Sequence, residues 1–359
     1  MMSSTTPVQR DGVTGVMLNL LRNIDKSKFH IDFIVINEPE EGICNQIKTE
    51  GGKIIYIPRK ITRPIQYILM YSKACKGYDI VHVHGNSATM VLEMIAAALA
   101  GVKVRIAHSH NTYCVSKIID KIFRPLFYCL CNTRVACGEE AGEWLFGERS
   151  FSIINNGINS EKYLFRENER EIIREEFAFD NNNIIVGNVA NFLAAKNHDF
   201  LIEVFIELHK IDSRYRLLLL GTGNLMNTIR EKVEESHINE LVYFVGSVSA
   251  VEKYLSAMDL IVMPSLNEGF PLTLIEEQCN GLRCFVSDRI TKEVDLSGNI
   301  EFLSLDKSAE EWAQNIHSIV KRVYDRQQTS CSAQSAIKSK GYDILQSVKL
   351  LENIYSKLV

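Results

Sequence analysis

The chain has 359 residues, of which 46% are hydrophobic and 23% charged, and its formal net charge is −4. This length and composition predict two or three globular domains with sizeable cores. The charge excludes a nucleic-acid-binding protein that relies on a dominant positive field, although not a local basic patch. The nine cysteines contain no CxxC pair, which excludes a zinc-finger type of site and a disulfide framework and predicts a reducing cytoplasm.

The N-terminal residues contain no apolar core of the kind that signal peptides have. The longest apolar stretch, residues 90–102, is too short to span a bilayer and contains Glu93. We therefore expect a cytoplasmic protein that is soluble or bound peripherally to a membrane.

Short runs rich in Val, Ile and Leu alternate with segments of helical length along almost the whole chain. The first series of predicted strands covers 31–36, 53–58, 79–84, 102–108, 134–138 and 152–157. The second series covers 184–190, 215–221, 241–246, 259–265, 283–288 and 300–305. Helices are predicted over 87–100, 196–210, 224–236 and 271–281. Continuous rather than alternating apolar strands indicate parallel sheets with both faces covered, so we predict two doubly wound α/β domains.

The predicted domain boundary lies in the polar run 159–171, which gives domains 1–160 and 161–342. Gly12 and Gly15 precede a helical segment, but nothing before them has the pattern of a strand. A doubly wound domain normally opens with a strand that leads into its first glycine-bearing turn. We therefore expect the first sheet to lack an inner strand, through a late start of the chain, and to be poorly stable.

The most informative segment is 263–288, "MPSLNEGFPLTLIEEQCNGLRCFVSD". A strand ends at Pro264, a turn contains Glu268, and Pro271 lies where a helix starts. Free N–H groups at a helix start suit phosphate or sugar oxygens. Glu268 and Glu276 can each accept hydrogen bonds from paired hydroxyls, on a sugar and on a ribose. Two glutamates at an arbitrary spacing of this kind usually lie on a solvated surface, but the strand–turn–proline–helix context favours a ligand site.

This segment resembles the E-x7-E signature of the retaining glycosyltransferases of family 4, which have the GT-B fold. The resemblance extends over nearly the whole chain, in the family's order. The other matching segments are "DGVTGVMLNLLRNID", "YDIVHVHG", "VRIAHSHNT", "VACGEEAGEWLFG", "IINNGINSEKY", "GNVANFLAAKNHDFLIEVF", "LLLLGTGNL" and "VYFVGSV". The resemblance implies two Rossmann-like domains whose parallel sheets face each other across a cleft, with the C-terminal helix, about 343–359, packed back on the first. It is strongest to enzymes of bacterial capsule and exopolysaccharide synthesis.

The resemblance also implies roles for residues of the second domain. Glu276 is expected to bind the donor ribose, and Glu268, with the backbone of Gly269 and Phe270, the donor sugar. Lys196, at the start of a helix, is expected to pair with the diphosphate. The further positions assigned to donor binding are Pro271, Leu272, Asn191, Gly221, Gly223 and, in the loop closing over the diphosphate, Gly12.

One position departs from the family pattern, because Asn191 stands where the family usually has an arginine. The loss of one of two cations weakens the stabilisation of a leaving diphosphate in a site that ordinarily uses no metal. Arg289 and Lys292 are the alternative cations. Gly221 and Gly223 fit a plain strand–helix turn as well as a nucleotide-binding one.

In the first domain, His108 and His110 follow a strand where the family has a histidine near the donor sugar, and we favour His110. Local hydrogen bonding is the alternative for either one. His82 and His84 are predicted to be structural. The helix 116–130 carries Lys117 and other basic residues beside aromatic ones, which suits a membrane surface or a lipid-linked acceptor. Ordinary packing of this helix on its sheet is the favoured interpretation.

The function implied is transfer of a sugar from a nucleoside diphosphate sugar, UDP-linked in preference to GDP-linked, to an acceptor hydroxyl with retention. The expected acceptor is a sugar or a lipid-linked oligosaccharide, and no metal, other cofactor or nucleic acid is expected. The alternatives are a sugar-nucleotide epimerase and a non-catalytic sugar-nucleotide-binding or scaffold subunit of the same fold. A dinucleotide dehydrogenase is disfavoured because no G-x-G-x-x-G motif follows a strand.

Overall fold

The structure of the chain is a computed structural model that describes residues 1–9, 12–60, 63–320 and 325–359. The chain divides into two compact units, one made of Met1–Gly157 and Gly341–Val359 and the other of Ile158–Lys340. The divisions predicted from the sequence were 160/161 and 342/343. Each unit has its own sheet and core, and each is described by itself below.

The first unit contains a sheet of seven parallel strands in the order β3-β2-β1-β4-β5-β6-β7. Its strands are β1 (Met2–Ser4), β2 (Phe33–Val35), β3 (Ile54–Tyr56), β4 (Ile80–Gly85), β5 (Val104–Ser109), β6 (Thr133–Ala136) and β7 (Ser152–Ile153). The helices between them are α1 (Gly12–Asn23), α2 (Glu41–Thr49), α3 (Pro64–Cys75), α4 (Val91–Leu99), α5 (Lys117–Leu130) and α6 (Glu139–Phe146).

The second unit contains a sheet of six parallel strands in the order β10-β9-β8-β11-β12-β13. Its strands are β8 (Ile184–Val189), β9 (Tyr215–Leu220), β10 (Val242–Gly246), β11 (Leu260–Met263), β12 (Arg283–Ser287) and β13 (Ile300–Leu303). Its helices are α7 (Glu167–Glu176), α8 (His198–Ile211), α9 (Met226–Glu235), α10 (Val251–Ala257), α11 (Leu272–Cys279), α12 (Ala309–Val320) and α13 (Arg326–Ser339). The last helix, α14 (Ile344–Leu358), belongs to the first unit, where it packs against α1.

Both sheets therefore have the doubly wound topology, in which the first strand of the unit lies inside the sheet and the chain moves outward from it in both directions. The cores consist of the continuous apolar strands and of the helix sides that cover them. Leu217, Leu219 and Val262 of the second unit are completely buried. The predicted fold class, two parallel-sheet α/β domains, is confirmed.

The expectation that the first sheet lacks an inner strand is wrong. Strand β1 lies between β2 and β4: the N–H of Met2 donates to the carbonyl of Asp32 (2.9 Å), and the carbonyl of Met1 accepts from His82 (2.8 Å). The strand escaped prediction because three residues are too few to show a pattern and two of them are serines. Ser3 is nevertheless buried, and its hydroxyl is hydrogen-bonded to that of Tyr71 (2.7 Å). The poor stability expected from a missing strand thus loses its basis.

Two glycines also lie elsewhere than expected. Gly12 is the first residue of α1 and Gly15 lies within it, so neither belongs to a loop before the helix. Residues 10 and 11, where such a loop would lie, are outside the described residues. A Cβ atom at Gly12 or Gly15 would meet no atom within 4 Å, so neither glycine is required by packing inside the unit.

Among the described helices, none combines the length and the apolar character needed to span a bilayer.

The position of β1 inside the sheet makes its backbone sensitive to proline. We expect Ser3→Pro to destabilise the protein more than Ser3→Ala, because proline removes a backbone donor from an inner strand. Ser3→Ala leaves the buried Tyr71 hydroxyl without its Ser3 partner, at a cost of about 1–3 kcal/mol. Ser3→Pro incurs the same loss and also removes the backbone donor, at a similar further cost of about 1–3 kcal/mol. Urea unfolding of the two variants measures the difference. Equal stabilities would show that β1 contributes nothing to the sheet.

Candidate functional site

The candidate site of the second unit lies where strand order reverses. Strands β8 and β11 are neighbours in the sheet, yet the chain leaves β8 toward β9 on one side and leaves β11 toward β12 on the other. The loops that follow the two strands therefore diverge at their carboxyl ends. Such a reversal is the usual ligand-binding position of an open α/β sheet.

Two hydrogen bonds join these two loops. The N–H of Leu266 donates to the carbonyl of Ala195 (2.8 Å), and the amide of Asn197 donates to the carbonyl of Pro264 (3.1 Å). Asn197 has a left-handed backbone, with φ 56°, and directly precedes α8. Lys196 was predicted to open this helix, but it ends a 3-10 turn, Ala194–Lys196, just before the helix begins.

The loops bring together two residues that sequence analysis assigned to different parts of a donor. The ammonium group of Lys196 forms an ion pair with Oε1 of Glu268, and the hydroxyl of Ser265 donates to the same oxygen (3.0 Å). Neither side chain of the pair is fully buried. The pair thus offers a cation suited to a phosphate and a carboxylate suited to sugar hydroxyls within one short stretch of surface.

The turn that contains Glu268 leads into α11. Pro271 was predicted at the helix start, and it is the residue immediately before the first helical residue, Leu272. This one-residue difference is ordinary at helix ends. A Cβ atom at Gly269 would meet no atom within 4 Å, so the space beside this backbone is open. Phe270 is partly buried. The turn accordingly leaves its backbone accessible next to a helix start.

Helix α11 carries two adjacent glutamates in different surroundings. Glu276 is partly buried, and burial raises its pKa to about 7, opposed by a hydrogen bond with Tyr163 and the charge of Lys162. At neutral pH it can therefore both donate and accept hydrogen bonds. Glu277 is completely buried, and neither of its carboxylate oxygens has a hydrogen-bond partner among the described residues. Burial, followed by the charge of Glu276, raises the pKa of Glu277 well above its usual value, which favours the protonated form.

Sequence analysis missed Glu277. Adjacent residues of a helix point about 100° apart, so one of two neighbouring glutamates turns toward the sheet when the other faces the site. The sequence contains no signal that tells which of the two is turned inward.

The glycines after β9 have a steric role within the unit. A Cβ atom at Gly221, where φ is +135°, would lie 2.0 Å from the carbonyl oxygen of Ala190, and one at Gly223 would lie 2.5 Å from that of Phe192. The N–H of Phe192 also donates to the carbonyl of Thr222 (3.0 Å). These contacts fix the loop that carries Asn191, whose side chain is exposed.

The alternative cations differ in their surroundings. Arg289 lies near Asp288 (3.8 Å) and Asp306 (3.7 Å), so its charge is already shared with two carboxylates. Lys292 begins a 3-10 turn, Lys292–Val294, after β12. The cation in contact with Glu268 is Lys196.

In the first unit, four histidines share one face of the sheet at the carboxyl ends of two neighbouring strands. His84 of β4 pairs in register with His108 of β5, and alternation along each strand places His82 and His110 on the same face. Nδ1 of His84 lies 2.7 Å from Nε2 of His110, and Nε2 of His82 lies 3.2 Å from Nδ1 of His108. Nδ1 of His82 is hydrogen-bonded to the hydroxyl of Tyr355 on α14 (2.7 Å). We call these four residues the histidine group.

The histidine group is neutral at physiological pH. Burial lowers the pKa of His110 to about 4 and lowers those of His82, His84 and His108 well below the usual value. Nitrogens of His82, His84 and His108 lie within 4.8 Å of one another, the spacing of a metal site. The His82 ring, however, is stacked on that of His84 with an interplanar angle of 17°. Because imidazole lone pairs lie in the ring plane, stacked rings do not converge on one ion, and the arrangement is that of a hydrogen-bonded stack.

The structure distinguishes the two histidines that sequence analysis proposed. His108 lies inside β5 rather than after it and is completely buried. His110 follows the strand and is partly exposed. His82 and His84 are buried in the sheet, as a structural role requires.

A cavity of about 630 Å³ in the second unit does not coincide with the candidate site. It is lined by Ile184, Tyr215 and Arg283, which are the first residues of β8, β9 and β12. It therefore opens at the amino ends of the strands, whereas Lys196 and Glu268 follow the carboxyl ends.

The chain is similar in sequence and in fold to known proteins. The family model "Glycosyl transferases group 1" matches residues 169–335. The chain is 32% identical to "Putative glycosyltransferase EpsF" of Bacillus subtilis (strain 168), covering 97% of this chain and 94% of that protein. It is 26% identical to the Escherichia coli "UDP-Gal:alpha-D-GlcNAc-diphosphoundecaprenol alpha-1,3-galactosyltransferase", covering 77% and 76%. The crystal structure of Anabaena HepE in complex with UDP has the same fold, with a TM-score of 0.79, 14% identity and 99% of each chain covered.

The buried Glu277 makes a testable contribution to pH dependence. Its raised pKa means that the folded protein binds a proton which the unfolded chain releases above pH about 4.5, so folding stability falls as pH rises. The loss is at most about 1.4 kcal/mol per pH unit. We expect Glu277→Gln to remove this slope, so that the variant gains stability relative to the wild type as pH rises above the ordinary carboxyl pKa of about 4.5.

Urea unfolding at several pH values measures the slope, and Glu234→Gln on the exposed side of α9 is the matched control. A wild type and a Glu277→Gln variant with parallel pH profiles would show that Glu277 is ionised in the folded protein.

Proposed function

The chain belongs to the group 1 glycosyltransferases, and we propose that it transfers a sugar from a nucleoside diphosphate sugar to an acceptor hydroxyl with retention of the anomeric configuration. The observation that carries the proposal is the contact between Lys196 and Glu268 at the strand reversal of the second unit. A donor of this class presents a diphosphate and a hydroxyl-rich sugar side by side, which are the groups that an ammonium and a carboxylate bind.

We propose the following donor contacts. Lys196 binds the diphosphate, and Glu268 with the backbone of Gly269 and Phe270 binds the sugar hydroxyls. The helix start at Pro271 and Leu272 adds positive potential to the diphosphate site. Glu276, with a pKa of about 7, binds the ribose hydroxyls as donor and acceptor.

We propose a UDP-linked sugar as the donor in preference to a GDP-linked one. The solved structure of HepE contains UDP, and the Escherichia coli relative is named for a UDP-linked galactose. The name of that relative also specifies a diphosphoundecaprenol-linked acceptor. By analogy, we propose a lipid-linked sugar acceptor and a role in capsule or exopolysaccharide synthesis at the inner face of the membrane.

In the proposed reaction, the bond between the anomeric carbon and the diphosphate oxygen breaks as the acceptor oxygen bonds to the same face of that carbon. The acceptor proton passes to a diphosphate oxygen, so no covalent enzyme intermediate is needed. Lys196 stabilises the charge that develops on the diphosphate. In the first unit, we assign the donor-side role to His110 rather than His108, because His110 is partly exposed and His108 is enclosed in the sheet.

A non-catalytic sugar-nucleotide-binding subunit is the second candidate. The observation in its favour is the exposed Asn191, which supplies no charge where the family resemblance expects an arginine. The presence of β1 removes the other argument for it, because the first sheet has its inner strand.

Donor binding is tested by thermal unfolding with UDP-, GDP-, ADP- and dTDP-sugars. A ligand at 100 times its Kd stabilises the native state by about 2.7 kcal/mol, so one nucleotide family is expected to raise the Tm. Glu276→Ala is expected to abolish the increase, while Glu234→Ala, an exposed glutamate on α9, retains it. An increase that survives in Glu276→Ala would place the donor elsewhere.

Catalysis is tested by transfer to a short-chain lipid-linked or soluble sugar acceptor. We expect Lys196→Ala to lower kcat about 100- to 1,000-fold, the usual effect of removing one group that stabilises the transition state. Lys253→Ala, an exposed lysine on α10, serves as the control. Donor binding without transfer by the wild type, across a broad acceptor panel, would favour the non-catalytic subunit.

A further inference from the structure

The segment 160–165 of the second unit is hydrogen-bonded to the C-terminal end of α11. The thiol of Cys279, the last residue of this helix, donates to the carbonyl of Ser160 (3.2 Å). The side-chain amide of Asn280, the next residue, donates to the carbonyl of Tyr163 (3.1 Å). Ser160 and Asn280 are completely buried. The backbone of the segment therefore has a fixed position relative to the helix.

Tyr163 contacts this part of the chain with its side chain as well as its backbone. The side chain forms a hydrogen bond with the carboxyl group of Glu276 on α11. Glu276 and Asn280 are four residues apart, so they lie one turn apart on the same face of the helix. Asn280 thus holds the backbone of Tyr163, and the tyrosine side chain extends back along that face to Glu276. Because this hydrogen bond lowers the pKa of Glu276, the Tyr163 hydroxyl is the donor.

Several charged groups lie on and around this part of α11. They are Lys162 of the segment, Glu252 of α10, Glu277 of α11 itself and Arg326 at the start of α13, which donates to the carbonyl of Asn280 (3.2 Å). Lys162 and Glu252 form an ion pair with each other (3.0 Å). Burial is the main cause that raises the pKa of Glu276, and the smaller effects of Lys162 and Glu252 oppose each other. The hydrogen bond from Tyr163 is therefore a distinct contribution to the state of Glu276.

We propose that Tyr163 is a positioning residue, whose hydroxyl holds the carboxyl group of Glu276 in the orientation that binds the ribose hydroxyls of a donor nucleotide. The inference rests on the proposed function, because that function assigns the ribose to Glu276. The two oxygens of a carboxylate offer about four lone-pair sites, so one bond from Tyr163 leaves sites for two ribose hydroxyls. A glutamate side chain loses rotational freedom when it is ordered, and Tyr163 imposes this order before the nucleotide binds.

Ribose selectivity follows from this role. A ribonucleotide offers two hydroxyls to an oriented carboxyl group, whereas a 2′-deoxynucleotide offers one and gains less from the orientation. Loss of the Tyr163 hydroxyl is therefore expected to affect the two kinds of nucleotide unequally. General damage to the site would weaken both by the same factor.

The nucleotide test compares UDP with 2′-deoxy-UDP by isothermal titration calorimetry on the full chain. Tyr163→Phe is expected to weaken UDP binding about tenfold, the effect of losing roughly one hydrogen bond to a charged group. It is expected to weaken 2′-deoxy-UDP binding less, so that the preference for UDP falls. Tyr254→Phe makes the same change at a partly buried tyrosine on α10 and is expected to bind both nucleotides as the wild type does. Equal losses of affinity for the two nucleotides in Tyr163→Phe would overturn the inference.

A second test detects the hydrogen bond without any nucleotide. The pKa of Glu276 is about 7 in the folded protein, against an ordinary value of 4.5. Its contribution to folding stability therefore falls as pH rises from 4.5 to about 7 and is constant above that. Without the Tyr163 hydroxyl the pKa of the folded protein is higher, so the fall continues to higher pH. The stability deficit of Tyr163→Phe relative to the wild type, measured by urea unfolding, is expected to grow as pH rises above 7.

Glu276→Gln supplies the control for this measurement. When position 276 cannot ionise, adding Tyr163→Phe is expected to change the stability by an amount that does not depend on pH. The other charged groups around α11 are present in every variant, so their contributions cancel in the comparison. A deficit of Tyr163→Phe that is the same at about pH 6 and about pH 8 would overturn the inference. A deficit that grows equally in the Glu276→Gln background would do so too.

The two tests distinguish failure of the inference from failure of the proposed function. A wild type that binds neither nucleotide would contradict the proposed donor site and, with it, the ribose role of Tyr163. A wild type that prefers UDP, with a preference that Tyr163→Phe leaves unchanged, would overturn the inference alone.

Discussion

The pairing of β8 with β11 is the constraint on which the candidate site depends. The two strands come from distant parts of the chain, yet they lie side by side in the middle of a buried parallel sheet, where the chain turns outward in opposite directions. Their carboxyl ends therefore open a space that no connection crosses, and the two loops flanking it carry Lys196 and Glu268. The chemistry of the site follows from the sheet, because neither loop alone contains both charges.

Most of the fold was predictable because parallel strands buried on both faces are continuous apolar runs. The twelve predicted strands are present, each within a few residues of its predicted ends. The strand that was missed, β1, is the one whose sequence carries no such signal: Met2, Ser3 and Ser4 are buried by the neighbouring strands rather than by their own hydrophobicity. Tertiary pairing decided this element, and no local pattern reveals that pairing. The helix starts near Gly12 and Pro271 also differ from the predicted ones by about a residue. Backbone hydrogen bonding decides where a helix begins, and the local sequence does not reveal it to the residue.

The site was predictable in its residue types but not in its contacts. The spacing of Glu268 and Glu276 suggested a ligand site only when combined with the turn and helix between them, and the family resemblance supplied the roles. That Lys196 touches Glu268 depends on two loops that are far apart in sequence. The histidine group depends on register: His82, His84, His108 and His110 alternate along two segments of the sequence, but only the alignment of β4 with β5 shows that they form one stack. That Glu277 rather than Glu276 turns inward depends on how α11 meets its sheet.

Asn191 makes binding of a diphosphate in the proposed site electrostatically less favourable than an arginine at that position would. A diphosphate bound beside Lys196 brings negative charge into a region that already contains Glu268, Glu276 and Glu277, and no arginine at position 191 offsets it. The raised pKa values of Glu276 and Glu277 reduce this conflict, because a protonated carboxyl group adds no repulsion. The charge of Glu268, in contrast, is held by Lys196 and by the hydroxyl of Ser265. An anion bound nearby would raise the pKa of Glu276 further and favour its protonated form. If all three glutamates were ionised, their repulsion of a diphosphate would outweigh the attraction of Lys196. With Glu276 and Glu277 shifted toward the protonated form, the repulsion in the proposed site is smaller than that charge count suggests.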